Sequence, residues 1–379
     1  MPGLSPFGAH RANLDALAAQ SSRRALAPRT GRDFASNDYL GLADSAALRA
    51  ALAAGIERAL PAGSGGSRLL RGNHPEHEAL EAHAARHYGS EAALFFPTGF
   101  AANTALFATL PQRGDLIVHD ELIHASAHDG MKLGRAGTVA AAHNDAQAFD
   151  DIIARWRAGG GGGTPWIAVE SLYSMDGDRA PLTALAQVAD RHDAILIVDE
   201  AHATGVFGPG GAGLAHALPR RDNLITLHTC GKALGAEGAL LCAPAIVPDF
   251  LINRGRPFIF STAPSPLIAW LVRQAIEIVA NEPERQARLH ALVRHAAERL
   301  VPLGIPASGT QILPVIIGDN DRTMRIAGSL RQAGFDVRGI RPPTVAPGTA
   351  RLRIAITLNV DEADIDAMAD TLAQAMAAA

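Results

Sequence analysis

Short apolar runs rich in valine and isoleucine recur along the 379-residue chain, and stretches with the spacing of amphipathic helices separate them. Strands that are buried on both faces of a sheet read as continuous apolar runs. The alternation therefore predicts an α/β fold with a mostly parallel central sheet. The predicted strands of this sheet cover residues 116–118, 166–169, 195–198, 224–227 and 239–242.

The length of the chain exceeds the size at which a single hydrophobic core normally stops growing, so we expect more than one domain. The composition, 48% hydrophobic and 19% charged, is ordinary for a globular protein. We predict an N-terminal arm over residues 1–42, a large domain over 43–268 and a smaller C-terminal α/β domain over 269–379. The C-terminal domain has strand-like segments at 312–317 and 352–356, then a helix from Asp361.

The charge and the cysteine content of the sequence argue against several classes of protein. The formal net charge is −4, and no block of lysine or arginine indicates binding to nucleic acid or to a membrane surface. Cys230 and Cys242 have neither metal-ligand spacing nor the pattern of a disulfide framework, which fits a reducing compartment. The N-terminus lacks an apolar signal region, and Arg273 and Glu277 interrupt the most apolar later stretch. We predict a cytoplasmic protein without membrane spans.

Polar residues follow two of the predicted strands, at the strand ends where ligands bind in open α/β sheets. Asp199 and His202 follow one strand, and Lys232 follows the next. Desolvation lowers the pKa of a lysine, whose neutral amine can then form an imine with an aldehyde. An aspartate beside a pyridinium nitrogen keeps that ring protonated and able to accept electrons. A helix-capping Asp199 and a solvated Lys232 are the simpler interpretations of each residue alone.

Two further positions suit a phosphorylated, ring-bearing cofactor. Gly99 lies where backbone amides at a helix start can cradle a phosphate, although a plain helix start capped by Thr98 explains the same residues. His124 follows the strand at 116–118, and its ring can lie flat against a cofactor ring. His124 and His128 have a zinc-binding spacing, but no glutamate follows His124 as the zinc-protease motif requires. We therefore predict no metal site.

The sequence Asp-Glu-Ala-His at residues 199–202 also occurs in helicases. A helicase needs a phosphate loop of the form Gly-x-x-x-x-Gly-Lys-Ser/Thr. Lys232 lacks both the upstream glycine and the following hydroxyl residue, so we exclude this interpretation.

Taken together, these motifs resemble the α-oxoamine synthases, a branch of the fold-type-I pyridoxal-phosphate enzymes, from about Phe34 into the C-terminal domain. The motifs agree with that family in order and spacing. They are Ser-Asn-Asp-Tyr-Leu-Gly-Leu (36–42), Gly-Ser-Gly-Gly-Ser-Arg (63–68), Thr-Gly-Phe (98–100), Ser-Met-Asp-Gly-Asp (174–178), Asp-Glu-Ala-His (199–202) and Thr-Cys-Gly-Lys (229–232). Two small departures are Ala203 where the family usually has glycine and Thr98 where serine is common.

The resemblance implies pyridoxal 5'-phosphate as the cofactor, bound covalently through the amine of Lys232. It implies that Asp199 pairs with the ring nitrogen, that His202 and Ser174 contact the ring hydroxyl side, and that His124 stacks on the ring. Lys232, His124, Asp199 and His202 are the candidate catalytic residues.

The resemblance also implies a phosphate site and an oligomeric state. The backbone of Gly99 and Phe100 and the hydroxyl of Thr229 would bind the phosphate, since hydrogen bonds to a charged acceptor are strong. The family works as a homodimer with active sites at the subunit interface. Ser261 and Thr262 match the segment that reaches the phosphate of the neighbouring subunit.

Within the family, residues 340–353 are most similar to the biotin-pathway branch, an acyltransferase that condenses L-alanine with a pimeloyl thioester and releases carbon dioxide. In that branch Arg353 would bind the amino-acid carboxylate as a bidentate fork, and Thr344 would contact substrate. We hypothesise that Arg341 pairs with the distal carboxylate of the pimeloyl chain, because a buried carboxylate needs a paired donor.

Two substrate contacts are expected near the N-terminus. They are Asn37 and an arginine of the N-terminal arm, which we place at Arg23 rather than Arg24. The acyl group would arrive on coenzyme A or on an acyl carrier protein.

Three alternatives stay open. A sister α-oxoamine synthase would use glycine or serine with an acetyl, succinyl or long-chain acyl thioester. A plain aminotransferase would form a keto acid without releasing coenzyme A. A non-catalytic protein would only store or sense pyridoxal phosphate, a role that needs no substrate arginine.

Overall fold

The computed structural model describes residues 6–379, and the chain divides into two compact units. The larger unit comprises residues 37–174 and 178–288. The smaller unit comprises the described residues up to 36, together with residues 175–177 and 289–379.

Strands and helices alternate along most of the chain. The strands are β1 (Arg32–Asp33), β2 (Ala92–Phe96), β3 (Leu116–Asp120), β4 (Gly137–Ala141), β5 (Pro165–Glu170), β6 (Ile195–Asp199), β7 (Leu224–Thr229), β8 (Ala239–Ala243), β9 (Ile312–Gly318), β10 (Phe335–Asp336), β11 (Arg338–Ile340) and β12 (Ala350–Ala355). The helices are α1 (Gly8–Ala19), α2 (Ala46–Glu57), α3 (Pro75–Tyr88), α4 (Gly99–Thr109), α5 (Ala125–Leu133), α6 (Ala146–Ala158), α7 (Leu182–His192), α8 (Ile246–Arg254), α9 (Arg256–Ile259), α10 (Pro266–Asn281), α11 (Pro283–Leu300), α12 (Asn320–Gln332) and α13 (Glu362–Ala378).

The larger unit contains a seven-stranded sheet in the order β2-β8-β7-β6-β5-β3-β4. Only β8 runs antiparallel to its neighbours, β2 and β7, so the predicted mostly parallel α/β fold is confirmed. Every strand predicted for this sheet is present, but the two edge strands, β2 and β4, were missed. The sequence of β2 contains no valine or isoleucine, and β4 is largely exposed, so neither gives the pattern of a buried strand.

The sheet is buried between two hydrophobic clusters, one on each face. Ile197 of β6 belongs to the cluster that contains Phe107 of α4, whereas its neighbours Leu196 and Val198 belong to the cluster that contains Phe149 of α6. Successive side chains of a strand point to opposite faces, so a strand covered on both faces is apolar at every position. This explains the continuous apolar run at residues 195–198.

The smaller unit contains a three-stranded antiparallel sheet in the order β11-β12-β9 and a separate parallel pair of β1 with β10. The predicted strand segments at 312–317 and 352–356 correspond to β9 and β12. The predicted final helix is also confirmed as α13, whose N-cap Asp361 forms a capping box with Asp364. No helix within residues 6–379 is both long and apolar enough to cross a lipid bilayer.

Candidate active site

The predicted polar residues lie at the carboxyl ends of neighbouring strands in the larger unit. β6 ends at Asp199, which is paired in register with Glu170 at the end of β5. β7 ends at Thr229, and Lys232 follows in a turn. The carbonyl of Lys232 accepts a hydrogen bond from the N–H of Gly235 (2.9 Å). The strand order, β7-β6-β5, therefore places these residues at one edge of the sheet.

Asp199 is 7% exposed, and both oxygens of its carboxylate accept hydrogen bonds. Oδ1 accepts from the backbone N–H of Ala201 (3.0 Å), a local contact of the kind that a capping aspartate makes. Oδ2 accepts from the side-chain amide of Asn103 on α4 (2.9 Å). Asp199 thus makes more than the local contact, because Asn103 on helix α4 also fixes the orientation of its carboxylate.

Glu170 is a buried carboxyl group that the sequence analysis did not select. Burial raises the pKa of Glu170 well above its ordinary value, the negative charge of Asp199 raises it further, and the charge of Lys232 acts in the opposite direction. These three groups therefore lie within range of one another's charge. The only available sequence signal was its position as the last residue of an apolar strand.

His124 is the N-cap residue of α5, and its Nδ1 accepts a hydrogen bond from the backbone N–H of Ser126 (3.2 Å). The same nitrogen lies 2.7 Å from the Ser126 hydroxyl oxygen. The residue as a whole is exposed, yet surrounding protein groups partly desolvate the ring, and this lowers the pKa of His124. Asp199 raises that pKa and Lys232 lowers it, so His124 lies within range of both charges.

His202 connects two of the motifs within the larger unit. Its Nδ1 lies 2.7 Å from the hydroxyl oxygen of Tyr39, and that hydroxyl donates to Oδ1 of Asn37 (2.9 Å). Because a phenol has one hydrogen to donate, His202 Nδ1 acts as the donor towards Tyr39. The structure therefore places Asn37 and His202 in one hydrogen-bond chain, with Tyr39 completely buried between them.

Gly99 is the first residue of α4, and its position adjoins Thr229. A Cβ atom at Gly99 would lie 3.7 Å from Oγ1 of Thr229. Thr98 caps the helix by accepting from the N–H of Ala101 (3.0 Å). The first N–H groups of a helix have no intrahelical partner, so those of Gly99 and Phe100 suit an anion. The hydroxyl of Thr98 can therefore cap the helix while the N–H groups of Gly99 and Phe100 bind a phosphate.

Three other predicted cofactor contacts lie in loops of the larger unit. The backbone of Ser174 forms a hydrogen bond with the carboxyl group of Glu170. Ser261 and Thr262 precede Ala263, whose N–H donates to the carbonyl of Gly66 in the glycine-rich motif (2.9 Å). Among residues 6–379, no hydrogen bond joins Ser261 or Thr262 to the strand-end residues.

A second network involves His143, which the sequence analysis did not select. Its Nδ1 contacts Oδ1 of Asp120 at the end of β3 (2.8 Å), and its Nε2 contacts Oδ2 of Asp178 (2.6 Å). Although burial lowers the pKa of His143, its hydrogen bonds to these two carboxylates raise it to about 10. The imidazolium thus joins β3 to the loop that follows Tyr173, whose ring it meets edge-on at 4.5 Å between centroids.

The predicted substrate arginines belong to the smaller unit. Arg353 lies on β12 and is 7% exposed. Arg24 donates to Oγ1 of Thr344 (2.9 Å), and Arg341 donates to the carbonyl of Ser21. Burial lowers the pKa of Arg341, and the positive charge of Arg24 lowers it further. We call Arg24, Arg341 and Thr344 the arginine cluster.

Arg23, which we predicted as the substrate arginine of the N-terminal arm, is exposed. Its backbone N–H donates to the carbonyl of Leu17 (3.1 Å). Within the described chain it is the neighbouring Arg24, rather than Arg23, whose guanidinium contacts Thr344.

The strand-end residues fit pyridoxal phosphate. They provide an amine at Lys232, an oriented carboxylate at Asp199, an exposed imidazole at His124 and a helix start at Gly99 for the phosphate. No group of three His, Cys, Asp or Glu side chains within residues 6–379 is arranged to hold a metal ion.

Comparison with known proteins gives the family. A family model described as aminotransferase class I and II matches residues 30–372. The chain belongs to this family. It is an enzyme that depends on pyridoxal phosphate and acts as an acyl-transferring synthase. This excludes the non-catalytic protein that the sequence left open.

Curated relatives and solved structures agree with this assignment. The 8-amino-7-oxononanoate synthase of Anaeromyxobacter dehalogenans (strain 2CP-1 / ATCC BAA-258) is 42% identical, over 96% of this chain and 94% of that protein. Serine palmitoyltransferase from S. paucimobilis has a TM-score of 0.90 at 25% identity, covering 100% of this chain and 99% of that one. The 8-amino-7-oxononanoate synthase structure from Francisella tularensis has a TM-score of 0.77 at 26% identity, covering 91% and 97%.

Proposed function

We propose that this enzyme condenses L-alanine with a pimeloyl thioester to give 8-amino-7-oxononanoate, carbon dioxide and the free thiol, a step of biotin biosynthesis. The observation that carries the proposal is the 42% identity to a curated 8-amino-7-oxononanoate synthase over 96% of the chain. The thiol that carries the acyl group belongs to coenzyme A or to an acyl carrier protein. The enzyme works as a cytoplasmic homodimer.

Pyridoxal phosphate supplies, when bound, an aldehyde for amines and a ring that accepts electrons released at the amino-acid α-carbon. Lys232 would hold it covalently, and Asp199 would pair with its ring nitrogen. The chain contains one other lysine, Lys132, which is 76% exposed and pairs with Asp129. Lys132 is a solvent-exposed residue of α5, whereas Lys232 follows the end of the buried strand β7. This difference supports Lys232 as the attachment site.

The remaining cofactor contacts follow from the motifs. His124 would stack on the ring, and His202 and Ser174 would contact its hydroxyl side. The phosphate would be bound by Gly99, Phe100 and Thr229, with Ser261 and Thr262 contributed from the neighbouring subunit.

Lys232 also has a role in proton transfer. The Nζ of Lys232 would take the α-proton of bound alanine, because a neutral amine is a suitable general base. His124 assists the acylation step, in which negative charge develops on the thioester oxygen.

Substrate recognition would use residues that carry positive charge or amide groups. Arg353 would bind the alanine carboxylate, and Asn37 would contact substrate. The arginine cluster supports recognition of the distal pimeloyl carboxylate, because Arg24 and Arg341 lie close enough for each charge to affect the other. An anion between two cations relieves their repulsion. Arg23 stays our prediction for the substrate arginine of the N-terminal arm, and Arg24 is the neighbouring alternative.

The proposal is tested by incubating the purified protein with L-alanine and pimeloyl-coenzyme A and identifying the product by mass. We expect 8-amino-7-oxononanoate with one thiol released per product. A panel of glycine or serine with acetyl, succinyl or palmitoyl thioesters separates the sister synthases, and a keto acid without thiol release would indicate an aminotransferase. Higher activity with any other pair of amino acid and thioester than with L-alanine and pimeloyl-coenzyme A would contradict the proposed substrates.

A further inference from the structure

A chain of hydrogen bonds runs from Asp199 to His124 through Asn103 and Ser126. The side-chain amide of Asn103 donates to Oδ2 of Asp199 (2.9 Å) and to the hydroxyl of Ser126 (3.0 Å). The Ser126 hydroxyl lies 2.7 Å from Nδ1 of His124. Asn103 and Ser126 are 2% and 1% exposed, so water does not compete for these bonds. We call Asn103 and Ser126 the relay.

The direction of each bond in the relay follows from what each group can donate. An ionised carboxylate only accepts, so Asn103 must present its amide hydrogens, and not its oxygen, to Asp199. The second amide hydrogen is directed to the oxygen of Ser126. The serine hydroxyl therefore accepts from Asn103 and has its own hydrogen left to donate.

The hydrogen of Ser126 goes to Nδ1 of His124, the acceptor at 2.7 Å. The backbone N–H of Ser126 is directed at the same nitrogen (3.2 Å). Two donors on one ring nitrogen require that nitrogen to be unprotonated. A neutral imidazole must then carry its hydrogen on Nε2.

The opposite tautomer conflicts with the same contacts. A hydrogen on Nδ1 of His124 would face the backbone N–H of Ser126, and two donors do not bond to each other. It would also leave the Ser126 hydroxyl hydrogen without its acceptor in a buried place, which is unfavourable.

We propose that Asn103 and Ser126 are positioning residues that fix His124 as the Nε2–H tautomer and hold its orientation relative to Asp199. The role rests on the proposed function, in which His124 assists acylation. Nδ1 is engaged by Ser126, so Nε2 is the nitrogen left for a ligand, and its hydrogen suits a thioester oxygen that gains negative charge. The charged groups acting on His124 are Asp199 and Lys232.

The direct test is the tautomer of His124 in full-length protein labelled with ¹⁵N-histidine, with and without pyridoxal phosphate. Two-bond ¹⁵N–¹H correlations distinguish the tautomers from carbon-bound hydrogens, and the His124 signals are assigned by their loss in His124→Gln. We expect the Nε2–H pattern in the wild type under both conditions. An Nδ1–H pattern would overturn the inference and requires no variant that might misfold.

Ser126→Ala removes the hydroxyl donor and leaves only the longer backbone contact to Nδ1. We expect the Nδ1–H form to become detectable, and turnover to fall about tenfold while KM for alanine and cofactor affinity change little. Ser171→Ala is the matched control, because Ser171, like Ser126, is a buried serine with a hydrogen-bonded hydroxyl. The Ser171 hydroxyl donates to the carboxyl group of Glu200 (2.9 Å) and not to His124. The control should leave the His124 spectrum unchanged.

Asn103→Ala should disturb both ends of the relay. We expect a mixed His124 tautomer and also cofactor affinity lowered about tenfold, because Asp199 loses the donor that Asn103 provides from α4. A wild-type spectrum in both Ser126→Ala and Asn103→Ala would overturn the inference. The tautomer is read without turnover, so a protein that makes no 8-amino-7-oxononanoate but has the Nε2–H pattern would refute only the proposed function.

Discussion

The strand-end residues of the larger unit and the arginine cluster of the smaller unit are both polar, but they differ in burial and in partners. Asp199 is buried, and each of its oxygens accepts a hydrogen bond from the protein. Arg24 is exposed and Arg341 half-buried, and within the described chain neither forms an ion pair with a carboxylate. Their contacts are a hydroxyl and a carbonyl.

This difference separates two kinds of preorganisation. A buried polar network is favourable only when every member has its partner, so it fixes one geometry for the reacting groups. Partly exposed arginines without carboxylate partners keep their charge for an anion that arrives with a substrate. Changes to the first region should therefore affect chemistry or folding, and changes to the second should affect substrate affinity.

Lys232→Ala should have the largest effect on activity. We expect loss of the visible chromophore that borohydride reduces, and turnover lower by roughly a thousandfold or more, because the proposed attachment point and the proposed base are lost together. Absorbance and steady-state kinetics measure both. Lys132→Ala is the matched control and should leave the chromophore intact. Retention of the chromophore in Lys232→Ala would contradict the scheme.

His143→Gln tests whether a half-buried histidine held between two carboxylates contributes to stability. We expect the free energy of unfolding at pH 7 to fall by about 1.5–3 kcal/mol, because hydrogen bonds to charged groups are lost. The folded-state pKa of about 10 lies above the ordinary value of 6.5. The stabilisation is therefore fully present below about pH 6.5 and is lost as the pH rises through about 10.

Urea unfolding of the wild type and His143→Gln at pH 7 and above pH 10 measures this difference. The gap between the two proteins should shrink at the higher pH. His192→Gln is a control, because His192 contacts a single carboxylate, Asp150 (2.6 Å). A gap that grows with pH would contradict the assignment.

Arg341→Ala tests the arginine cluster. We expect KM for pimeloyl-coenzyme A to rise about tenfold with little change in kcat, since a half-exposed hydrogen bond to a charged group contributes about 1.5 kcal/mol. Arg331→Ala, an exposed arginine on α12, is the control. An unchanged KM in Arg341→Ala would show that the distal carboxylate binds elsewhere.

The smallest expected effect distinguishes Arg24 from Arg23. Arg24→Ala should raise KM for the pimeloyl thioester by about threefold, because the residue is exposed and contributes less than Arg341. Arg23→Ala is both the control and our original prediction for the substrate arginine. A larger effect from Arg23→Ala than from Arg24→Ala would support Arg23 as the substrate arginine.

Much of the fold was predictable because its signals are local. The buried strands β3, β5, β6, β7 and β8 gave apolar runs, whereas β2 without branched residues and the exposed β4 did not. The candidate residues Asp199, His202 and Lys232 were recognisable by their positions after strands. Glu170 gave only its position at the end of an apolar strand and His143 gave no signal, because their surroundings depend on partners that are distant in sequence.

The sequence by itself determined the α/β class, the order of the motifs and the residue types at the strand ends, because periodicity and spacing are properties of neighbouring residues. Only the tertiary structure decided which atoms meet. Asn103 reaches Asp199 across 96 positions of the chain, a contact set by strand order and helix packing rather than by any local pattern. Hydrogen-bond direction follows from those contacts, which is why the relay between Asp199 and His124 required the folded chain.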